Sequence, residues 1–98
     1  MENKPARILI VEDDELIAHH LQRSLESLGY FVVGKTNRGD ECIRLAGDLA
    51  PNLVLMDIQL EGPLTGIQTA TEIRRLYALP IVYLTAYSDA TTIEQVKE

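Results

Sequence analysis

The chain predicts an α/β domain: a parallel sheet with helices packed on both faces. Three observations predict it. Apolar, β-branched runs alternate along the 98 residues with segments in which apolar residues recur at helical spacing. The best of these runs, ARILIVE and LVLMD, are continuous rather than period-two, as expected for strands buried on both faces. The runs also end in polar groups, Glu12-Asp13-Asp14, Asp57 and Thr85. Parallel strands joined by right-handed crossovers collect their ligands beyond the carboxyl ends of the strands, so these termini are where chemistry is expected.

The elements follow in order. Ala6–Glu12 opens after Pro5 and closes in acids, which fits a first strand. Ile17, Leu21, Leu25 and Leu28 give the apolar stripe of a first helix, with Gly29 at the place of a C-terminal cap. Tyr30–Lys35, YFVVGK, is aromatic and β-branched, a second strand. Cys42, Leu45, Ala46 and Leu49 mark a second helix, stopped by Pro51. Leu53–Asp57 is the third strand. Thr65-Gly66-Ile67-Gln68 has the form of a capping box, and Ile67, Ala70, Ile73 and Tyr77 continue it as a third helix. Pro80 opens a fourth strand over residues 81–85, and Ser88 or Thr91 is the expected cap of a fourth helix.

Composition narrows the function. The chain is 46% hydrophobic with 5% aromatic residues and no Trp, which predicts one small aliphatic core. A net charge of −6 argues against a nucleic-acid face, because phosphate binding needs clustered Lys and Arg. Arg74-Arg75 reads as a solvated helix face. The single Cys42 excludes an internal disulfide, fits a reducing compartment and reads as a small buried hydrophobe. No apolar run approaches a membrane span, and MENKPAR does not resemble a signal peptide. A soluble cytoplasmic domain is the expectation.

The strand ends carry the chemistry. If the first, third and fourth strands are neighbours, Glu12, Asp13 and Asp57 converge at one rim. Carboxylates that close repel, and some pKa values rise unless a cation intervenes. Mg²⁺ suits such a rim, since one or two carboxylates, a carbonyl and several waters satisfy its octahedron. Asp57, balanced by a metal, is then a nucleophile able to form an aspartyl phosphate. Thr85 would donate its hydroxyl to a phosphoryl oxygen, and Ala86 would leave room for it. The plainer reading of the acids is helix electrostatics: Asp13, Asp14 and Glu15 favour the start of the first helix. Asp57 alone reads as a turn residue and Thr85 alone as a cap, so the case rests on all three falling at strand ends. His19-His20 does not form a one-face ligand pair, because adjacent helix positions diverge.

Together, ILIVEDDE, VLMDIQLEG and PIVYLTAYSD resemble the receiver domain of two-component response regulators, in order and spacing, over nearly the whole chain. The resemblance implies a flavodoxin-like three-layer α/β/α fold with strand order 2-1-3-4-5. It also implies a single domain over residues 1–98 that stops within the fourth helix, without the family's fifth strand, its Lys or its last helix. Lys97, in the expected fourth helix, is not that Lys. The implied function is acceptance of a phosphoryl group from a histidine kinase or phosphotransfer protein, with switching of an output domain or sibling receiver. This is a regulatory role with self-catalysed transfer, not an enzyme acting on a separate substrate. By position Asp57 is the phosphoacceptor, Thr85 the switch hydroxyl and Ala86 the small residue admitting the phosphoryl group. Asp13, Asp57 and the backbone carbonyl of Gln59 are the implied Mg²⁺ ligands, with Glu12 acting through a water. The Gln59 and Tyr87 side chains match positions that tune phosphate loss. Glu61 stands where the family usually has Pro, and Gly66 falls one place late, so the loop after Asp57 is one residue longer.

Two other functions stay open at this point. One is a receiver-like docking module that is not phosphorylated. The other is a small Mg²⁺-dependent phosphohydrolase, disfavoured because its general acid would stand where Gln59 does. A dinucleotide site is disfavoured too, since no Gly-x-Gly-x-x-Gly follows the first strand.

Overall fold

Strand and helix alternate strictly through the computed structural model, which describes residues 4–60 and 62–84. The elements are β1 (Arg7–Val11), α1 (Glu15–Ser27), β2 (Phe31–Thr36), α2 (Gly39–Leu49), β3 (Leu53–Asp57), α3 (Gly66–Tyr77) and β4 (Ile81–Leu84). All pairings are parallel and the sheet order is β2-β1-β3-β4. The chain therefore moves outward from β1 to β2, then returns to the other side of β1 for β3. Strand order reverses between β1 and β3, which places the crevice of the fold at the ends of those two strands. The expected fourth helix, with Ser88, Thr91 and Lys97, lies outside the described residues.

Alternation along the strands splits the interior in two. Leu9 and Val11 of β1 and Val54 and Met56 of β3 pack with Cys42 and Ala46 of α2 and Ile73 of α3. Ile8, Ile10, Val32 and Leu55 face the other way, onto Ala18, Leu21 and Leu25 of α1. Cys42 is fully buried, and burial pushes its thiol up to about 12, so it packs as a small apolar group as expected.

Several boundaries and faces differ from expectation. The first strand is shorter than Ala6–Glu12, and β2 starts one residue late. The Tyr30 backbone N–H is taken by the Leu25 carbonyl in the turn that ends α1, so it cannot join the sheet. Gly29, at φ +95°, does occupy the left-handed position after the Leu28 cap. The apolar stripe of α1 is rotated: Ala18 is buried and Leu21 and Leu25 are partly buried, while Ile17 is 43% and Leu28 73% exposed. Tyr77 is likewise an exposed residue of α3, its hydroxyl laid against Gly47 of α2. The capping box is present in full, Thr65 Oγ1 accepting from Gln68 N and Gln68 Oε1 from Thr65 N, at 3.1 and 2.9 Å.

The end of α2 uses a device that periodicity does not reveal. Ala50 takes the left-handed cap conformation at φ 46°. The Arg7 guanidinium crosses from β1 to donate to the carbonyls of Leu49 and Ala50 at 2.5 and 2.8 Å. A cation there answers both the unpaired carbonyls and the negative end of the helix dipole.

Candidate functional site

At the crevice the acid run divides its labour. Asp14 is the N-cap of α1: its Oδ1 accepts from Leu16 N at 2.9 Å and Ile17 N at 3.2 Å. The helix-electrostatic reading is therefore right for Asp14. It does not account for Glu12 and Asp13. Glu12 is buried at the end of β1, its backbone N–H bonded to the Thr36 carbonyl and its Oε1 accepting from Asp14 N at 3.1 Å. Its carboxyl is pushed up from 4.5 to about 7, first by burial, then by the charge of Asp57 and a side-chain hydrogen bond with it, and by Asp13. Asp13 Oδ1 is buried and is the side-chain oxygen or nitrogen that lacks a hydrogen-bond partner among the described residues.

Asp57 closes β3, paired across to Leu84 of β4. Its Oδ1 accepts from Gln59 N at 3.2 Å, which turns the chain sharply away from the sheet and fixes the rotation of the carboxylate. The return of the chain is equally tight. Gly66 N donates to the Ile58 carbonyl at 2.8 Å, and a Cβ at Gly66 would fall on the Asp57 carbonyl oxygen, with Ile58 Cα 2.8 Å away. Those neighbours are backbone and cannot yield, so only glycine brings the start of α3 this close to Asp57. The sequence held one unused signal: glycine in a first helical turn costs up to about 1 kcal/mol against alanine, a cost that implies a close approach.

Glu12, Asp13 and Asp57 are thus brought together, as expected from the strand ends. Thr85, Ala86 and Tyr87 lie outside the described residues. His19 and His20 are exposed on α1. No group of three or more His, Cys, Asp or Glu side chains among the described residues forms a metal cage. The donor set still fits a hard, water-rich cation, which needs only one or two carboxylates and a carbonyl, and the orphaned Asp13 oxygen is a ready ligand. Beside the acids lies an open groove of about 400 Å³, lined by Glu12, Glu15, Ala18, Lys35, Thr36 and Asn37 among others. Sequence reasoning missed this rim on the end of β2.

The profile of the response regulator receiver domain matches residues 8–98. The chain belongs to the response regulator receiver family. Its relatives agree. The transcriptional regulatory protein PdtaR of Mycobacterium tuberculosis is 38% identical over 94 residues, 96% of this chain and 45% of that protein. The signal receiver domain of a modulated diguanylate cyclase from Desulfovibrio desulfuricans superposes with a TM-score of 0.86 at 42% identity, over 95% of this chain and 74% of that one. The anti-anti-sigma factor PhyR from Bartonella quintana superposes at 0.77 with 32% identity, over 87% of this chain and 35% of that one. The receiver thus spans less than half the length of PdtaR. The observed order β2-β1-β3-β4 is that of the flavodoxin-like receiver fold, and the family places the domain in two-component signalling. No helix among the described residues is long and apolar enough to cross a membrane.

Proposed function

We propose that this receiver accepts a phosphoryl group from a histidine kinase or phosphotransfer protein onto Asp57 in a Mg²⁺-dependent reaction, and that the modified domain switches an output domain or partner. The observation that carries this reading is the acid set: a buried Asp13 oxygen without a hydrogen-bond partner among the described residues, beside a Glu12 whose carboxyl is held near 7 by burial and by Asp57. Such a set is poorly balanced alone and well balanced around a hard cation.

Asp13, Asp57 and the Gln59 carbonyl would hold Mg²⁺ directly and Glu12 through a water. When bound, the ion neutralises charge between the attacking carboxylate and the phosphoryl oxygens. Asp57, rotationally fixed by the Gln59 N–H, supplies the nucleophilic oxygen. The oxygen–phosphorus bond forms as the phosphorus–nitrogen bond to the donor imidazole breaks, and that electron pair leaves with the imidazole. Glu12, its carboxyl raised by burial and by Asp57, would give its proton to solvent and act as the carboxylate of the set were a cation bound. Thr85 would donate its hydroxyl to a phosphoryl oxygen, and Ala86 would leave space for it. We read the chain as receiver throughout residues 8–98. A phosphohydrolase remains disfavoured by Gln59 in place of a general acid.

A docking role without phosphorylation is the second reading, favoured by the likeness to PhyR, named an anti-anti-sigma factor. The test is acetyl phosphate with Mg²⁺, followed by intact mass, on this chain, on one extended through a fifth strand and helix, and on Asp57→Ala of each. The expected result is a labile, Mg²⁺-dependent gain of one phosphoryl group that Asp57→Ala abolishes. No adduct on either chain, with Mg²⁺ shown to bind, moves the function to docking.

A further inference from the structure

The start of α2 breaks a local rule. Its N-cap is Arg38, which makes no side-chain cap hydrogen bond, where Ser, Thr, Asp or Asn is preferred. Departures of this kind tend to mark positions serving something other than local stability. The Arg38 side chain is directed elsewhere. Asp40 holds it in a two-point fork, Nε to Oδ1 and Nη2 to Oδ2, both at 3.1 Å, and this fixes the plane of the guanidinium. That plane lies against Gly62. A Cβ on Gly62 would stand 3.1 Å from Cζ and 3.2 and 3.4 Å from the two terminal nitrogens. Gly62 sits at φ +93°, so it is both the bend of the loop after Asp57 and the surface on which the guanidinium rests. The neighbouring residue tightens the same seam. A Cβ on Gly39 would fall on Thr69 Oγ1 and lie 3.2 Å from Leu64 Cβ.

We propose that Arg38, oriented by Asp40, is a positioning residue that braces the loop after Asp57 and so holds the Gln59 carbonyl in place for Mg²⁺. This rests on the metal-binding role proposed above. The loop is pinned at its beginning by the Gln59 N–H on Asp57 and at its end by Gly66 on Ile58. Arg38 and Gly39 press on the section between those pins from the β2–α2 side. Planarity and the fixed fork matter here more than charge, so Lys is a poor substitute.

Charge and position make opposite predictions, which makes the idea testable. Removing a cation near an acidic site tightens Mg²⁺ binding by Coulomb's law alone. Removing a brace weakens it. Mg²⁺ is titrated calorimetrically into the full chain as wild type, Arg38→Ala, Arg38→Lys and Asp40→Asn. Amide hydrogen exchange over residues 58–64 is followed without metal, and thermal unfolding is measured for each. The expected result is Mg²⁺ affinity about three- to tenfold weaker in Arg38→Ala, at or below the roughly tenfold low end of outer-shell effects because Arg38 acts through the loop and not on a ligand directly. Exchange in the loop is faster and the unfolding midpoint nearly unchanged. Arg38→Lys recovers part of the loss, and Asp40→Asn shows a smaller loss in the same direction. Equal or tighter Mg²⁺ binding in Arg38→Ala, or unaltered loop exchange, overturns the inference while leaving the metal site standing. A wild-type chain that binds no Mg²⁺ overturns the metal site itself, and the inference with it.

Discussion

The described helices cover the two faces of the sheet unequally, α2 and α3 lying on one and α1 on the other. The face under α2 and α3 is sealed: Leu9, Val11, Cys42, Val54, Met56 and Ile73 are buried completely. The face under α1 has one described helix across it: Ile8 and Ile10 are as deeply buried, Leu55 is 8% exposed, and Leu21, Leu25 and Leu84 are partly buried, as Ile43, Leu49 and Tyr83 are at the edges of the other face. Glu12 continues the alternation of Ile8 and Ile10, and Asp57 that of Leu53 and Leu55, onto this less covered side. The groove beside the acids is lined there by Glu15 and Ala18 of α1. The acids sit at the end of the α1 side, next to that groove.

The comparison breaks if the sealed face is not the stronger one. The largest effect is expected for Ile73→Ala, which empties a fully enclosed position and should cost about 2–5 kcal/mol in chemical denaturation. Leu25→Ala on the opposite face, partly exposed already, should cost about 1–2 kcal/mol, in proportion to the smaller area lost. Equal losses at the two sites would remove the distinction.

The acid end of the α1 face should show itself in pH. Glu12 has its carboxyl raised from 4.5 to about 7 on folding, chiefly by burial. The folded chain then binds this proton more tightly than the unfolded chain. Its stabilising contribution is complete below about 4.5 and is lost as pH rises through about 7. Without metal, stability should fall over that window by on the order of 1–3 kcal/mol. Glu12→Gln should flatten the slope, and saturating Mg²⁺ should remove it, as followed by denaturation midpoints at successive pH values. A metal-free profile flat from pH 4.5 to 7.5 would contradict the burial assigned to Glu12.

Smaller effects sharpen the edges. Arg7→Ala removes two hydrogen bonds to the end of α2 and should cost about 1 kcal/mol, read as a lower unfolding midpoint. Leu28→Ala, at a residue that periodicity puts in the core and the fold leaves in solvent, should stay within about 0.5 kcal/mol.

Much of this was legible from residue order. Alternating apolar runs and helical stripes specify a parallel α/β sheet, and the Thr65–Gln68 box and Gly29 mark helix ends through backbone needs that act locally. The convergence of Glu12, Asp13 and Asp57 followed from strand ends alone. What stayed hidden depends on contacts between distant segments. Ile17 and Leu28 satisfy a helical stripe, but Ala18 faces the sheet because a small residue lets α1 lie close to it. Arg7 reaching the end of α2 and Arg38 across Gly62 each join parts of the chain far apart in sequence, and no window of neighbouring residues contains them. The expected roles of Thr85 and Ala86 fall outside the described residues and rest on the family pattern.

Cys42 has a practical consequence. With its thiol fully enclosed under α2 and raised to about 12, it should ignore maleimides and disulfide reagents at neutral pH while the domain is closed. Labelling then requires that the sealed half open, so its rate becomes a clock for that opening. The wild-type chain therefore carries a single-site stopwatch of its own. Run with and without a phosphodonor, it times whether a change at the acids is felt on the opposite side of the sheet.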